Sequence, residues 1–299
     1  MRNSKMKIWV SFFIIKKDFY CIRIKCHEKS KIDSSFRFAS FRMTKCFYIC
    51  LMNVINLLKN ILLKSQIYVS LCATLLGVFI LQDQESYQNT LAFILFLTFW
   101  NGYFFTVYHK RKFAKIWNIL GFVLISSILL KYFDLNFYLK WLIVLILGFI
   151  YNADFLNINL RQFSLVKTFY VGFIWALSLV WFPLKEMNWA WFFIIFFYTS
   201  AITFPFEIRD LKRDDFTTLP MKIGIQNTKY LSYIFLCLSS VLAIFFLKFE
   251  FVISLLLTFT FASILIYFSH QKREDWYYSF LLESLSLLPI IFHELFKIF

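Results

Sequence analysis

The chain has 299 residues, of which 60% are hydrophobic and only 16% charged, with six glycines and four prolines. A mixture this apolar exceeds what a soluble domain buries, and so few breakers exclude a loop-rich fold, leaving lipid as the solvent for most of the surface. The net charge of +15 suggests nucleic acid at first sight, but +9 of it falls in residues 1–51; the remainder reads as a topology signal, so no nucleic-acid partner is expected.

Residues 1–51 are basic and mixed. Their only apolar run, "IWVSFFII", is eight residues long and followed by Lys16-Lys17. That is too short to span and has no cleavage site of the signal-peptide kind. The stretch reads as an N-terminal extension, disordered or upstream of a true start at Met52; the alternative is a basic cytosolic tail held near anionic lipid. Four of the six cysteines lie here without a Cys-x-x-Cys pair, which reads as unpaired thiols rather than half a zinc site.

Residues 52–299 form the second predicted domain. Nine apolar segments follow, at about 64–82, 90–108, 116–132, 136–152, 165–184, 188–206, 230–248, 250–268 and 276–297. Each is long enough to cross a bilayer, or nearly so with tilt. Their continuous apolar runs exclude a β-barrel. The links alternate in charge: "QDQESYQN" has no Lys or Arg, whereas "YHKRKFAK" has four, and the richer links recur at every second position. The positive-inside bias therefore predicts an all-α, multi-pass protein of a bacterial inner membrane. The N-terminus lies in the cytoplasm and the C-terminus outside.

At the end of the sixth segment comes "FPFEIRDLKRDDFTTLP", with Glu207, Asp210 and Asp214 at offsets of three and seven from the first acid. On a helix those offsets turn by about 300° and 700°, so the three carboxylates share one narrow stripe, and Arg209 and Lys212 point elsewhere. Like charges on one stripe need a counter-charge. Oxygen ligands so spaced suit Mg²⁺, which binds through one or two carboxylates together with substrate phosphates. The competing explanation is a mixed-charge loop facing solvent.

The run "FEIRDLKRDDFTTLPMKIG" (206–224) resembles the second acidic motif of the UbiA-type intramembrane prenyltransferases. Glu207, Asp210 and Asp214 match its acidic positions, Phe206 replaces an Asn, and Thr218-Leu219-Pro220 and Gly224 follow in register. The resemblance covers about residues 55–299 and implies a nine-helix bundle around a cytosol-facing cavity. It implies Mg²⁺ as cofactor, a prenyl diphosphate as donor and a lipid-soluble, aromatic acceptor. By that resemblance Asp210 and Asp214 are the main metal ligands, Glu207 a supporting one, and Arg209 or Lys212 assists the diphosphate.

The family's first acidic motif is degenerate here. "NGYFFTVYH" (101–109) keeps only Asn101, with Gly102, Phe105 and His109 where acids are expected. His109 and Lys110 are candidate diphosphate contacts or simply inside-rule charges, and Asn101 is a ligand contact or a helix–helix hydrogen bond. Of the Tyr-x-x-x-Lys element, Tyr151 is present, Phe155 is not a lysine, and Lys167 comes later. These departures keep open a second function: binding an isoprenoid lipid without turnover. Glu283, mid-segment in "WYYSFLLESLSLLPIIF", would cost about 2.5–3.5 kcal/mol if ionised in lipid, so it should face the bundle. There it would orient an acceptor, act as a base, or bond a neighbouring serine. His270 and His293 read as interface residues, and Trp181, Trp189, Trp191 and Trp276 as members of aromatic belts.

Overall fold

In lipid a backbone must satisfy its own polar groups, and an apolar run does so by closing into helix. The computed structural model describes residues 65–108, 111–151, 164–211 and 218–298, and among these it is all-helical. Helices α1 (Ile67–Asp83), α2 (Asn89–Tyr108), α3 (Lys112–Tyr132) and α4 (Leu135–Tyr151) come first. Next are α5 (Ser164–Ala176), which runs into a π-helical turn, π1 (Leu177–Trp181), and α6 (Trp189–Asp210). The short α7 (Leu219–Ile223), α8 (Ile225–Phe246), α9 (Phe249–Phe268), a second π turn, π2 (Tyr277–Leu282), and α10 (Leu288–Phe296) complete the order. Residues 1–51, His109, Lys110, Phe155, Lys212 and Asp214 lie outside the described residues.

The helices occupy the nine apolar segments. Five of them, α2, α3, α6, α8 and α9, are long and apolar enough to cross a membrane. Their buried shares differ widely: 72% of the α6 window is enclosed, against 28% for α2, α3 and α8. So α6 is the axis of the bundle, and the outer helices turn large apolar side chains outward, as Phe245, Ile119 and Leu120 do. Successive helices lie side by side and antiparallel, and α10 returns to pack on α1.

Two features fix close approach. Gly77 of α1 leaves room for Leu95 and Leu179, which would stand 3.0 and 3.1 Å from a Cβ there. Gly172 of α5 lies against α6, where a Cβ would meet the Ser200 hydroxyl and come within 2.9 Å of the Phe196 carbonyl. That contact seats α5 on the axis.

The last apolar segment differs from the single span expected over 276–297. It breaks into π2, a turn at 285–287 and α10. Pro289 has no N–H to give the carbonyl four residues back, which is Leu285. Tyr198 of α6 supplies the missing donor, its hydroxyl 2.8 Å from Leu285 O. A break at membrane depth is tolerable when buried protein satisfies the freed group.

Candidate functional site

The acidic stripe finds its counter-charge on α5. Lys167 Nζ lies 2.7 Å from Glu207 Oε1, with the two side chains 11% and 1% exposed. Antiparallel packing of α5 on α6 sets this meeting: Phe173 sits against Phe192, Phe169 against Phe204, and one turn further Lys167 reaches Glu207. Asp210 is held differently. Arg209 folds back on it with Nε 2.7 Å from Oδ1 and Nη2 3.0 Å from Oδ2, a forked pair. The guanidinium also lies 5.1 Å from the Phe206 ring centre and 5.7 Å from that of Tyr278. Helical angle alone placed Arg209 away from the carboxylates, but a long flexible side chain spans the difference.

Beside this end of the bundle lies a cavity of about 250 Å³ between α2, α4 and α5, edged by α3. Phe99, Tyr103, Phe105, Trp141, Tyr151, Tyr170 and Trp175 make its walls largely aromatic. The wall formed by α5 and π1 is the stripe Val171, Ile174, Trp175 and Ser178. Lys167 precedes Val171 by four residues, so it continues that stripe one turn toward the acidic end of α6. Tyr151, at the end of α4, stacks on Tyr170 with ring centres 5.9 Å apart. Gly102 and Phe105, where the resembled motif has acids, are lining residues instead.

Asn101 is buried, and its Nδ2 donates to Asn118 O of α3 at 3.4 Å. This is the helix–helix bond that was one of the two roles expected for it. Glu283 directly follows π2, half-buried, within electrostatic reach of Arg209, Tyr103 and Cys72. Ser284, a serine expected to bond it, is engaged elsewhere: its Oγ lies 2.6 Å from the Tyr68 hydroxyl and donates to Phe280 O.

Two expectations are corrected. Trp191 is fully buried, its indole N–H donating to Asp83 Oδ2 at 2.7 Å, so it is a core anchor and not a belt residue. His293 is 2% exposed and stacks on Phe251 at 4.3 Å, so it is a packing residue and not an interface one. Trp189, by contrast, is 61% exposed at the start of α6, as a belt residue would be.

Glu207 and Asp210 present the hard oxygen donors that Mg²⁺ prefers, yet both are engaged by cations. Among the described residues no three His, Cys, Asp or Glu side chains converge on one point. A cavity walled by Phe, Trp and Leu beside the carboxylates was expected from the sequence, but its particular lining residues were not, because segment 165–184 is apolar on nearly every face and no stripe stands out from it. No family model matches the chain, and no curated protein or solved structure is similar to it.

Proposed function

We propose that the chain is a UbiA-like intramembrane prenyltransferase, which transfers a prenyl group from a prenyl diphosphate to a lipid-soluble aromatic acceptor. The observation that carries this reading is the continuity between the aromatic cavity and the ion-paired end of the bundle. The α5 stripe that lines the cavity continues to Lys167, and Lys167 meets Glu207 one helix away. A hydrocarbon chain would lie among Phe99, Phe105, Trp141 and Trp175, with its diphosphate toward Lys167, Arg209 and the carboxylates. His109, Lys110 and Lys212 would reach it from the adjoining links. In this reading all nine segments cross a bacterial plasma membrane, and the diphosphate end faces the cytoplasm, where the Lys/Arg-rich links would gather.

The chemistry asks little of covalent catalysis. The allylic C–O bond breaks, the diphosphate leaves with the electron pair, and the allylic cation is captured by the acceptor, which then loses a proton. Bound by Glu207, Asp210 and Asp214, Mg²⁺ would neutralise charge on the departing diphosphate. Lys167 and Arg209 would turn from the carboxylates to the diphosphate oxygens and hold the leaving group by charge-assisted hydrogen bonds. The aromatic walls exclude water from the cation. Tyr151, in the cavity wall, and Glu283 would orient the acceptor.

A second reading, isoprenoid binding without turnover, is favoured by one observation. Gly102 and Phe105 extend the apolar wall where the resembled family places acids. Membranes containing the protein, given a labelled prenyl diphosphate, a panel of quinone and porphyrin precursors and Mg²⁺, separate the two. Product that is lost in Asp210→Asn and Asp214→Asn supports transfer. Undiminished product in both variants defeats it, and tight isoprenoid retention without product across the panel selects the second reading.

A further inference from the structure

Beside the main cavity, and sharing Asn101 and Ile125 with it, α2 and α3 enclose a crevice of about 160 Å³. Its floor and walls are Leu97, Trp100, Trp117, Gly121 and Ile125, and its rim is Leu120 and Leu124. Leu120 is 60% and Leu124 48% exposed, so the crevice opens on the outer, lipid-facing side of these helices. One strongly polar residue lines it, Asn101.

The amide of Asn101 is half used. Its nitrogen faces Asn118 O, a group that only accepts, so the orientation of the amide is fixed by that bond. Asn118's own amide nitrogen is spent on Ala114 O at 2.6 Å, and the Trp100 indole N–H on Ser65 O at 2.9 Å. Asn101 Oδ1 is left buried with no hydrogen-bond partner, in a residue 9% exposed. The amide lies directly over Gly121, where a Cβ would come within 2.7 Å of Nδ2 and 3.0 Å of Oδ1. Glycine at that position makes the space. A carbonyl oxygen held without a donor in hydrocarbon is costly, and it binds any donor that fits.

We propose that this crevice is a binding site for a membrane-dissolved, uncharged phenol, a single aromatic ring whose O–H donates to Asn101 Oδ1. Size sets the ring: an apolar cavity of about 150 Å³ accepts benzene. Shape agrees, since the Trp100 and Trp117 rings stand edge to face, 5.2 Å apart, and offer both a face and an edge to a third ring. The walls other than Asn101 are aliphatic, aromatic or glycine, which disfavours a charged ligand. The site needs no diphosphate and no metal, so it stands whether or not the chain transfers a prenyl group.

The test is a fluorine NMR titration of the full chain in lipid nanodiscs with 4-fluorophenol and 4-fluoroanisole, using empty nanodiscs as the partition blank. Saturable uptake of the phenol above the blank is expected, with the ether, which has no donor, bound about tenfold more weakly. Asn101→Leu should bring the two ligands within about twofold of each other. Leu124→Trp, at an exposed position, should fill the crevice and abolish saturable uptake of both, which keeps the test decisive if the Asn101 variant does not fold. Uptake equal to the blank, discrimination that survives Asn101→Leu, or binding unchanged in Leu124→Trp would each overturn the proposal. Prenyl transfer is assayed separately, so its presence or absence leaves this result intact.

Discussion

The two ends of the bundle hold their enclosed carboxylates in different ways. At one end a carboxylate is surrounded by neutral donors: Asp83 Oδ2 accepts from Trp191 Nε1 at 2.7 Å and from Gln84 Nε2 at 2.6 Å. Gln84 is itself held by Asn188 Nδ2 at 2.9 Å, and Asn188 caps α6 by accepting from Trp191 N. Lys140 closes the same end by donating to the carbonyls of Leu184 and Lys185. At the other end the carboxylates meet side-chain cations, Glu207 with Lys167 and Asp210 with Arg209. Neutral hydrogen bonds have fixed geometry and suit a seal. Cation–carboxylate pairs can be exchanged for other ions without leaving a charge bare, and suit a site where a charged ligand enters.

The largest contrast expected is in activity. On the proposed function, Asp210→Asn should lower prenyl transfer at least ~10²-fold, the scale of losing one electrostatic contact to a reacting group. Trp191→Phe, which alters only the seal, should leave kcat within about twofold. Equal losses in both would erase the functional distinction between the ends.

Stability comes next. Lys167→Met takes a cation from the buried Glu207 carboxylate and should cost up to about 3–5 kcal/mol. Adding Glu207→Gln to it should recover most of that loss. Thermal unfolding in detergent reads both, and a double variant as unstable as the single one would mean the pair is not coupled. Trp191→Phe should cost less, about 1.5–3 kcal/mol, as expected for a hydrogen bond to a charged acceptor.

The smallest effect is at the rim of the sealed end, where Lys248 Nζ lies 3.0 Å from Glu85 Oε1. The hydrogen bond and charge of Glu85 raise the lysine above its ordinary value of 10.5. A raised folded pKa means stabilisation that is complete below the ordinary lysine range and lost as pH climbs through the folded value. The wild-type advantage over Glu85→Gln should therefore be present at neutral pH, shrink with salt, and vanish in strong alkali. An advantage that persists at high pH would assign it to something other than this pair.

Helix positions were legible because each apolar run has one outcome in lipid, and the observed ends fall within a few residues of the apolar segments for most of the chain. The interruption near 285–287 was less legible. Pro289 signals a freed carbonyl, but only the arrival of Tyr198 from another helix makes the break affordable. The acidic stripe was readable as a spacing, and the need for a positive partner followed from it. That the partner is Lys167 did not, because segments 165–184 and 188–206 are apolar on most faces and carry no record of which faces meet.

Composition and the order of apolar runs determined that this is a helical membrane-type chain with a charged knot after its sixth run, since hydrophobicity and helix closure act locally along the backbone. Tertiary packing decided everything that needs two helices at once: the Lys167–Glu207 pair, the aromatic cavity, the buried Asp83–Trp191 bond and the open oxygen of Asn101. Those depend on how α5 and α1 rotate against α6, and on the fit of Gly172 and Gly121. Rotations of that kind are set by side-chain interlocking across the bundle, which no single segment encodes.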